Sequence, residues 1–178
     1  YKVHTIGDCY VIMGYNGRID KLRRNKPVAI DEACRVIQTG LEMIEIIKEI
    51  RDGSDDPSIK ELDMRIGVHT GKVVAGIIGS KVVRYDIFGE GVLIANKMES
   101  NGLPGQVCVS DDTRKLLYNQ IEIYNEYQFD EHTTIELTSI RKQMKSYTVV
   151  RKERDSIESG MLSSDYANFS ENSEKVND

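Results

Sequence analysis

The sequence is short of the residues that would staple or anchor it. Its three cysteines, Cys9, Cys34 and Cys108, are odd in number, far apart and never in a CxxC pair. That excludes a disulfide framework and a zinc-site pattern, and it reads as a reducing, cytosolic compartment. No apolar run approaches the roughly 18 residues that a membrane span needs, and no signal peptide is visible. Positive charge is not in surplus: 24 Lys and Arg against 29 Asp and Glu give a net charge of -5, which argues against a nucleic-acid partner, because phosphate backbones select for clustered positive charge. The three histidines, His4, His69 and His132, have neither metal-ligand spacing nor a neighbouring candidate nucleophile and read as structural. The chain opens inside a strand, at Tyr1-Lys-Val-His4, without an initiator Met. It therefore reads as a piece of a larger polypeptide, and these absences say nothing of membrane segments elsewhere in it.

What is present suits one domain. A chain of 178 residues buries about 70% of its unfolded surface on folding, enough for a core without staples. Residues 3–12 read as two short strands around Gly7-Asp8, a hairpin whose turn, if type I′, tolerates Asp for conformational reasons alone. Residues 18–27, RIDKLRRNKP, carry five Lys or Arg and read as a solvated basic loop. Ala33, Ile37, Leu41, Ile44 and Ile47 fall at helical spacing and predict an amphipathic helix over 31–50. Residues 51–60 read as a loop. Leu62, Met64, Ile66 and Val68 alternate with Asp63, Arg65, Gly67 and His69, a period-2 strand. VVAGIIG (73–79) and VRYDIF (83–88) are further strands, and residues 92–100 a helix ended by Asn101-Gly102. QVCVS (106–110) is a strand, Ser110 opens a short capped helix, and KSYTVV closes the pattern. The order ββ-α-ββ(β)-α-β-α-β defines an α+β or α/β layered domain over 1–150. From Arg151 onward serines and charges replace the apolar periodicity, so 151–178 reads as a disordered tail.

Two glycine-rich stretches fail as nucleotide motifs. GVHTGKV (67–73) has three residues between its glycines and Val73 where a P-loop needs four and a Ser or Thr, and GEG (89–91) lacks the third glycine of a dinucleotide fingerprint. Asp8 stands apart as a carboxylate at the tip of an otherwise apolar ribbon.

Three segments, HTIGDCYVIMG, LDMRIGVHTGKVVAGIIGSKVVRYDIFGEGVLIANKMES and GLPGQVCVSDDT, resemble in order and spacing the class III adenylate and guanylate cyclase catalytic domain. The resemblance covers about residues 1–150. It implies a ferredoxin-like βαββαβ core and head-to-tail pairing of two such halves with nucleotide sites at their interface. The implied chemistry is that of a phosphorus–oxygen lyase: the ribose 3′-OH of GTP or ATP attacks the α-phosphate, the 3′,5′-cyclic nucleotide forms and pyrophosphate leaves. Two Mg²⁺ or Mn²⁺ ions are implied as cofactors. By resemblance Asp8 is the family's second metal aspartate, and the first must precede Tyr1. Ile6 and Gly7 shape the hairpin that presents Asp8. Arg65, at the family's MRIG position, helps bind the terminal phosphates; its alternative is a surface ion pair with Asp63 or Glu61. The Gly67, Gly71, Gly76 and Gly79 series would permit close approach at the strands and the dimer seam.

The departures from the family pattern are informative. Self-pairing cyclases place an asparagine that orients the ribose, and four residues later an arginine that stabilises the transition state, where this chain has Leu93 and Lys97. Leucine cannot hydrogen-bond a ribose, and lysine lacks the planar fork of arginine. VLIANKME instead looks like the metal-bearing half of heterodimeric cyclases, so the resemblance implies a complementary half, in the same polypeptide or another, and one working site. The purine-reading pair falls at His4 and Asp86. Adenylate cyclases use Lys with Asp or Thr there and guanylate cyclases Glu with Cys or a similar residue; His4 with Asp86 fits neither, and both would face the degenerate second pocket, where Asp86 leans toward adenine. In wording the chain is close to the large membrane guanylate cyclases of ciliates and apicomplexans, which leans toward GTP and implies a cytoplasmic domain of a larger membrane protein. Two rival readings remain: a catalytically degenerate regulatory half, which Leu93 and Lys97 favour, and a non-enzymatic scaffold using residues 18–27 and the tail.

Overall fold

The computed structural model describes residues 1–14, 26–80, 83–118, 120 and 125–152. Strands β1 (Lys2–Ile6) and β2 (Cys9–Ile12) form the first hairpin, followed by helix α1 (Lys26–Asp52) and the single turn α2 (Pro57–Lys60). Next come β3 (Arg65–Val68), β4 (Val74–Ile78), β5 (Arg84–Phe88) and helix α3 (Glu90–Ser100). Then β6 (Gln106–Ser110), α4 (Asp111–Tyr118), β7 (Tyr127–Leu137) and β8 (Lys142–Arg151) complete the described chain.

A four-stranded sheet of order β3-β6-β8-β7 organises the domain. β3 runs parallel to β6, and β8 is antiparallel to both β6 and β7. Because successive strand residues point to opposite faces, β6 divides two cores between its neighbours. Val107 and Val109 join Ile30, Ala33, Ile37, Leu117, Tyr147 and Val149 on the face covered by α1 and α4. Cys108 joins Ile94, Met98, Ile135, Leu137 and Met144 on the face covered by α3. Gly40 lets α1 cross the sheet closely, since a Cβ there would stand 3.3 Å from Ile66 and Val107 side-chain carbons. Burying side chains such as Ile37 and Leu117 completely contributes about 1.5–3 kcal/mol each.

The α+β expectation is met, with boundaries shifted. Of the basic stretch 18–27, Lys26 and Pro27 open α1, because proline suits a first helical turn, where no N–H partner is lost. The rest of it lies outside the described residues, as does the tail beyond Lys152. The loop at 51–60 contains α2, whose N-cap Asp56 accepts a hydrogen bond from Ser58 N at 2.9 Å. The strand from Leu62 starts only at Arg65, with Leu62 exposed. α3 begins at Glu90, earlier than its apolar pattern, because Gly89 at φ 118° makes the sharp entry. The closing strand is one arm of a long hairpin.

β1–β2 and β4–β5 are separate two-stranded ribbons rather than members of the central sheet. Local contacts join them to their neighbours: the backbone at Gly14, just past β2, rests on Glu32 and Val36 of α1, and the Tyr1 ring meets Tyr85 edge-on at 5.9 Å.

Candidate active site

The register of the first hairpin puts Ile6 opposite Cys9 and leaves Gly7-Asp8 as a two-residue loop. Gly7 has φ 61° while Asp8 does not have positive φ. A type I′ turn needs positive φ at both central residues, so the turn is of the II′ kind, with glycine carrying the whole conformational demand. Asp8 is therefore not needed to make the turn. Its carboxylate is exposed, and among the described residues it has no partner. That fits one hard-oxygen ligand of a cation site. It does not make a whole site, because among the described residues no group of three or more His, Cys, Asp or Glu could hold a metal ion.

Arg65 opens β3, half-exposed, and its Nε donates to Glu99 Oε1 of α3 at 3.0 Å. Neither Asp63 nor Glu61 is its partner: Asp63 pairs with Arg51 at 3.5 Å, so the surface pair expected as an alternative is replaced by one that joins strand to helix. No hydrogen bond or ion pair joins Asp8 to Arg65.

His4 and Asp86 are brought together. β1 lies against β5 so that His4 Nδ1 is 3.0 Å from Asp86 Oδ1, close enough for ion pairing but not aligned as a hydrogen bond, and His4 Nε2 is buried without a partner among the described residues. Asp86 itself is buried and well satisfied: Ile87 N donates to Oδ1 at 2.9 Å and Arg84 reaches Oδ2 at 3.2 Å. Two residues expected to read a purine thus lie against each other through one atom of each, while the hydrogen bond to Asp86 comes from its own strand. Leu93 and Lys97 sit one turn apart on α3, both exposed.

The glycine series divides. Gly67 permits close approach, since a Cβ there would run into the backbone of Ala95 and Glu99 on α3. Gly71 makes room for the His69 ring, and Gly79 has φ 128°. Gly76 has nothing within 4 Å of its would-be Cβ, so no close approach occurs there. Around it the β4–β5 ribbon carries Val74 and Ile77 at 70% and 74% exposure, with Ile78, Val83 and Phe88 also exposed.

The other histidines are structural. His132 Nε2 lies 3.0 Å from Asn101 O at the end of α3. His69 Nδ1 is 2.7 Å from Ser110 Oγ, which caps α4 by accepting from Thr113 N at 3.3 Å, while Thr113 Oγ1 accepts from Thr70 N at 2.8 Å. Burial is the main cause that lowers the His69 pKa from its ordinary 6.5, aided by Lys142 and opposed by Asp112 and Glu90. A group depressed on folding is bound to more protons in the unfolded chain, so its stabilising contribution is intact above pH 6.5 and is lost as pH falls through the folded value. The expected result is a melting temperature that falls below pH 6.5, with a smaller fall in His69→Gln. Thermal denaturation between pH 5 and 8 checks this, and identical pH profiles would refute the assignment.

Glu99, the apolar β4–β5 surface and the His69–Ser110 contact are the parts sequence reasoning missed. Arg65 and Glu99 are 34 residues apart, and only Gly67, small where the strand meets a helix, hinted that the two elements touch.

The chain as a whole has known counterparts. The family model of the adenylate and guanylate cyclase catalytic domain matches residues 1–151, and the chain belongs to that family. It is 41% identical over 153 residues to guanylate cyclase alpha of Plasmodium falciparum, covering 85% of this chain and 3% of that protein. It is 34% identical over 150 residues to the membrane guanylyl cyclase of Dictyostelium discoideum, covering 84% and 9%. The guanylate cyclase domain of RhGC from Catenaria anguillulae, solved in complex with GTP, superposes with a TM-score of 0.61 at 25% identity, covering 86% of this chain and 73% of that one. The chain thus spans a small part of the length of these curated relatives.

Proposed function

We propose that this cyclase domain is the metal-bearing half of a pair that converts GTP, or ATP, to the 3′,5′-cyclic nucleotide and pyrophosphate. The observation that carries the reading is Asp8: an exposed carboxylate, without a partner among the described residues, on a turn that does not require it. The family implies Mg²⁺ or Mn²⁺; when bound, such cations favour ionisation of the ribose 3′-OH and neutralise charge on the triphosphate. Asp8 would hold a cation, together with a second aspartate expected upstream of Tyr1. Ile6 and Gly7 set the hairpin that presents Asp8. Arg65 would bind the terminal phosphates with its two terminal nitrogens, which bond to none of the described residues, while the 3′-O–Pα bond forms and the bond to the leaving pyrophosphate breaks.

Pairing with a complementary half rests on two features. Leu93 and Lys97 cannot supply the ribose contact and the planar cation of a self-pairing site. The exposed apolar side chains of the β4–β5 ribbon form the kind of patch that marks a protein interface. GTP is favoured over ATP because the relatives named above are guanylate cyclases and the solved domain binds GTP. No described helix is long and apolar enough to cross a membrane; a cytoplasmic domain of a larger membrane protein is the reading that the Dictyostelium relative supports. A regulatory half is the second reading, favoured by His4 and Asp86 being engaged with each other.

The test is cyclic-nucleotide synthesis with Mn²⁺, on GTP and ATP separately, by the chain extended upstream, alone and mixed with a complementary cyclase half. Activity in the mixture alone is expected. Activity of the single half would refute the reading of Leu93 and Lys97, and silence in both would select the regulatory half.

A further inference from the structure

Arg65 reaches Glu99 because of what Gly67 lacks. Residues two apart on a strand share a face, so Arg65 and Gly67 both look toward α3. With no side chain at Gly67, the α3 backbone at Ala95 and Glu99 settles directly on β3. That seats Glu99 beside the Arg65 guanidinium. The contact is made through Nε alone, at 3.0 Å, and among the described residues Arg65 has no other polar partner. Ser100 Oγ lies 3.2 Å from Glu99 Oε2, but its single proton is shared with the nearer Asn96 O at 2.8 Å, so Glu99 is held chiefly by Arg65. Arg65 is 48% exposed and Glu99 28%, so the pair lies at the surface with the arginine end open.

A guanidinium carries five N–H donors in a rigid fork, and the edge formed by its two terminal nitrogens matches two phosphate oxygens. A carboxylate on that edge would compete with phosphate. A carboxylate on Nε does not; it fixes the plane and direction of the fork while leaving the terminal edge to a ligand. From this we infer that Glu99 is a positioning residue that orients Arg65 toward the β- and γ-phosphates of the nucleotide. The inference rests on the reading of Arg65 as a phosphate ligand.

The test measures equilibrium dissociation constants of GTP, ATP, inorganic pyrophosphate and a nucleoside monophosphate for the assembled cyclase pair. Wild type is compared with Arg65→Ala, Glu99→Ala, Glu99→Gln and the double alanine variant. Arg65→Ala and Glu99→Ala are each expected to weaken triphosphate and pyrophosphate binding on the order of tenfold, the size of a typical coupling between residues in contact. Monophosphate binding, which involves no β- or γ-phosphate, stays unchanged. Glu99→Gln, which keeps the hydrogen-bond acceptor and the shape, recovers most of the loss, and the double variant is no worse than Arg65→Ala alone. If Arg65→Ala leaves pyrophosphate and triphosphate binding unchanged, the phosphate reading falls and this inference with it. If Arg65→Ala weakens binding while Glu99→Ala does not, or while the Glu99→Ala loss adds in full to the double variant, the phosphate reading stands and the inference alone is overturned. A Glu99→Ala loss that extends equally to the monophosphate would show a general structural effect and would also overturn it.

Discussion

Asp8→Ala is expected to reduce cyclic-nucleotide formation by the assembled pair about 10²- to 10³-fold, while the melting temperature of the domain stays where it was. The activity loss follows from charge. A carboxylate that holds a cation against a triphosphate acts where negative charge develops, and removing one such electrostatic contributor costs on the order of two to three powers of ten. Asp8→Asn keeps a ligating oxygen but not its charge, and should fall between wild type and alanine. The unchanged stability follows from the turn: of its two central residues Gly7 alone has the positive φ, and Asp8 is exposed and makes no hydrogen bond or ion pair with a described residue. A surface substitution of that kind stays within about 0.5 kcal/mol. Turnover with Mn²⁺, read beside a thermal melt, checks both halves of the expectation. Retained activity would remove Asp8 from the metal site, and a melting drop of several degrees would mean that the carboxylate serves the fold.

The difference between Asp8 and Arg65 shows how far the sequence could be read. Local rules were enough for the hairpin, because Gly-Asp between two β-rich runs is a short-range signal, though the turn type depended on a backbone angle that letters do not carry. Three strands of the central sheet, β3, β6 and β8, were legible for the same reason, whereas β7 and the strand order were not. QVCVS alternates between its two cores as a strand with both faces covered must, and the apolar stripe of α1 buries Ala33 and Ile37 where its spacing placed them. Early helix starts at Lys26 and Glu90 were hidden, since a proline and a glycine that read as loop residues serve as first-turn and entry residues. Long-range pairs were not legible at all. Nothing adjacent to Arg65 distinguishes Glu99 from Asp63 or Glu61; the choice is made by how closely α3 packs on β3. In the same way His4 and Asp86 could be placed by resemblance in one pocket, but their 3.0 Å contact is a product of two ribbons meeting outside the central sheet.

Gly67→Ala should have the largest effect on stability for the smallest change in mass. The position does not require glycine for conformation, since its φ is not positive, so backbone strain is not the reason for the residue. The reason is steric: the added methyl would stand 2.7 Å from Glu99 Cα and collide with Glu99 N and Ala95 O. These are helix backbone atoms, which cannot turn aside as a side-chain tip does, so α3 must lift from β3. Overpacking of this kind costs about 1–3 kcal/mol, and the rigidity of the neighbour puts this site at the upper end. For a domain of this size that is a melting decrease of roughly 5–10 °C. Gly76→Ala is the matched control. Its new methyl meets nothing within 4 Å and its φ is not positive, so the substitution should be neutral or stabilising by at most about 1 kcal/mol through the unfolded chain. Melts of the two variants side by side test the packing argument, and equal melting temperatures would refute it. The lifted helix has a second consequence that stability alone would not produce. Glu99 moves with α3 away from Arg65, so at temperatures where Gly67→Ala is still folded, pyrophosphate binding should weaken while nucleoside monophosphate binding holds.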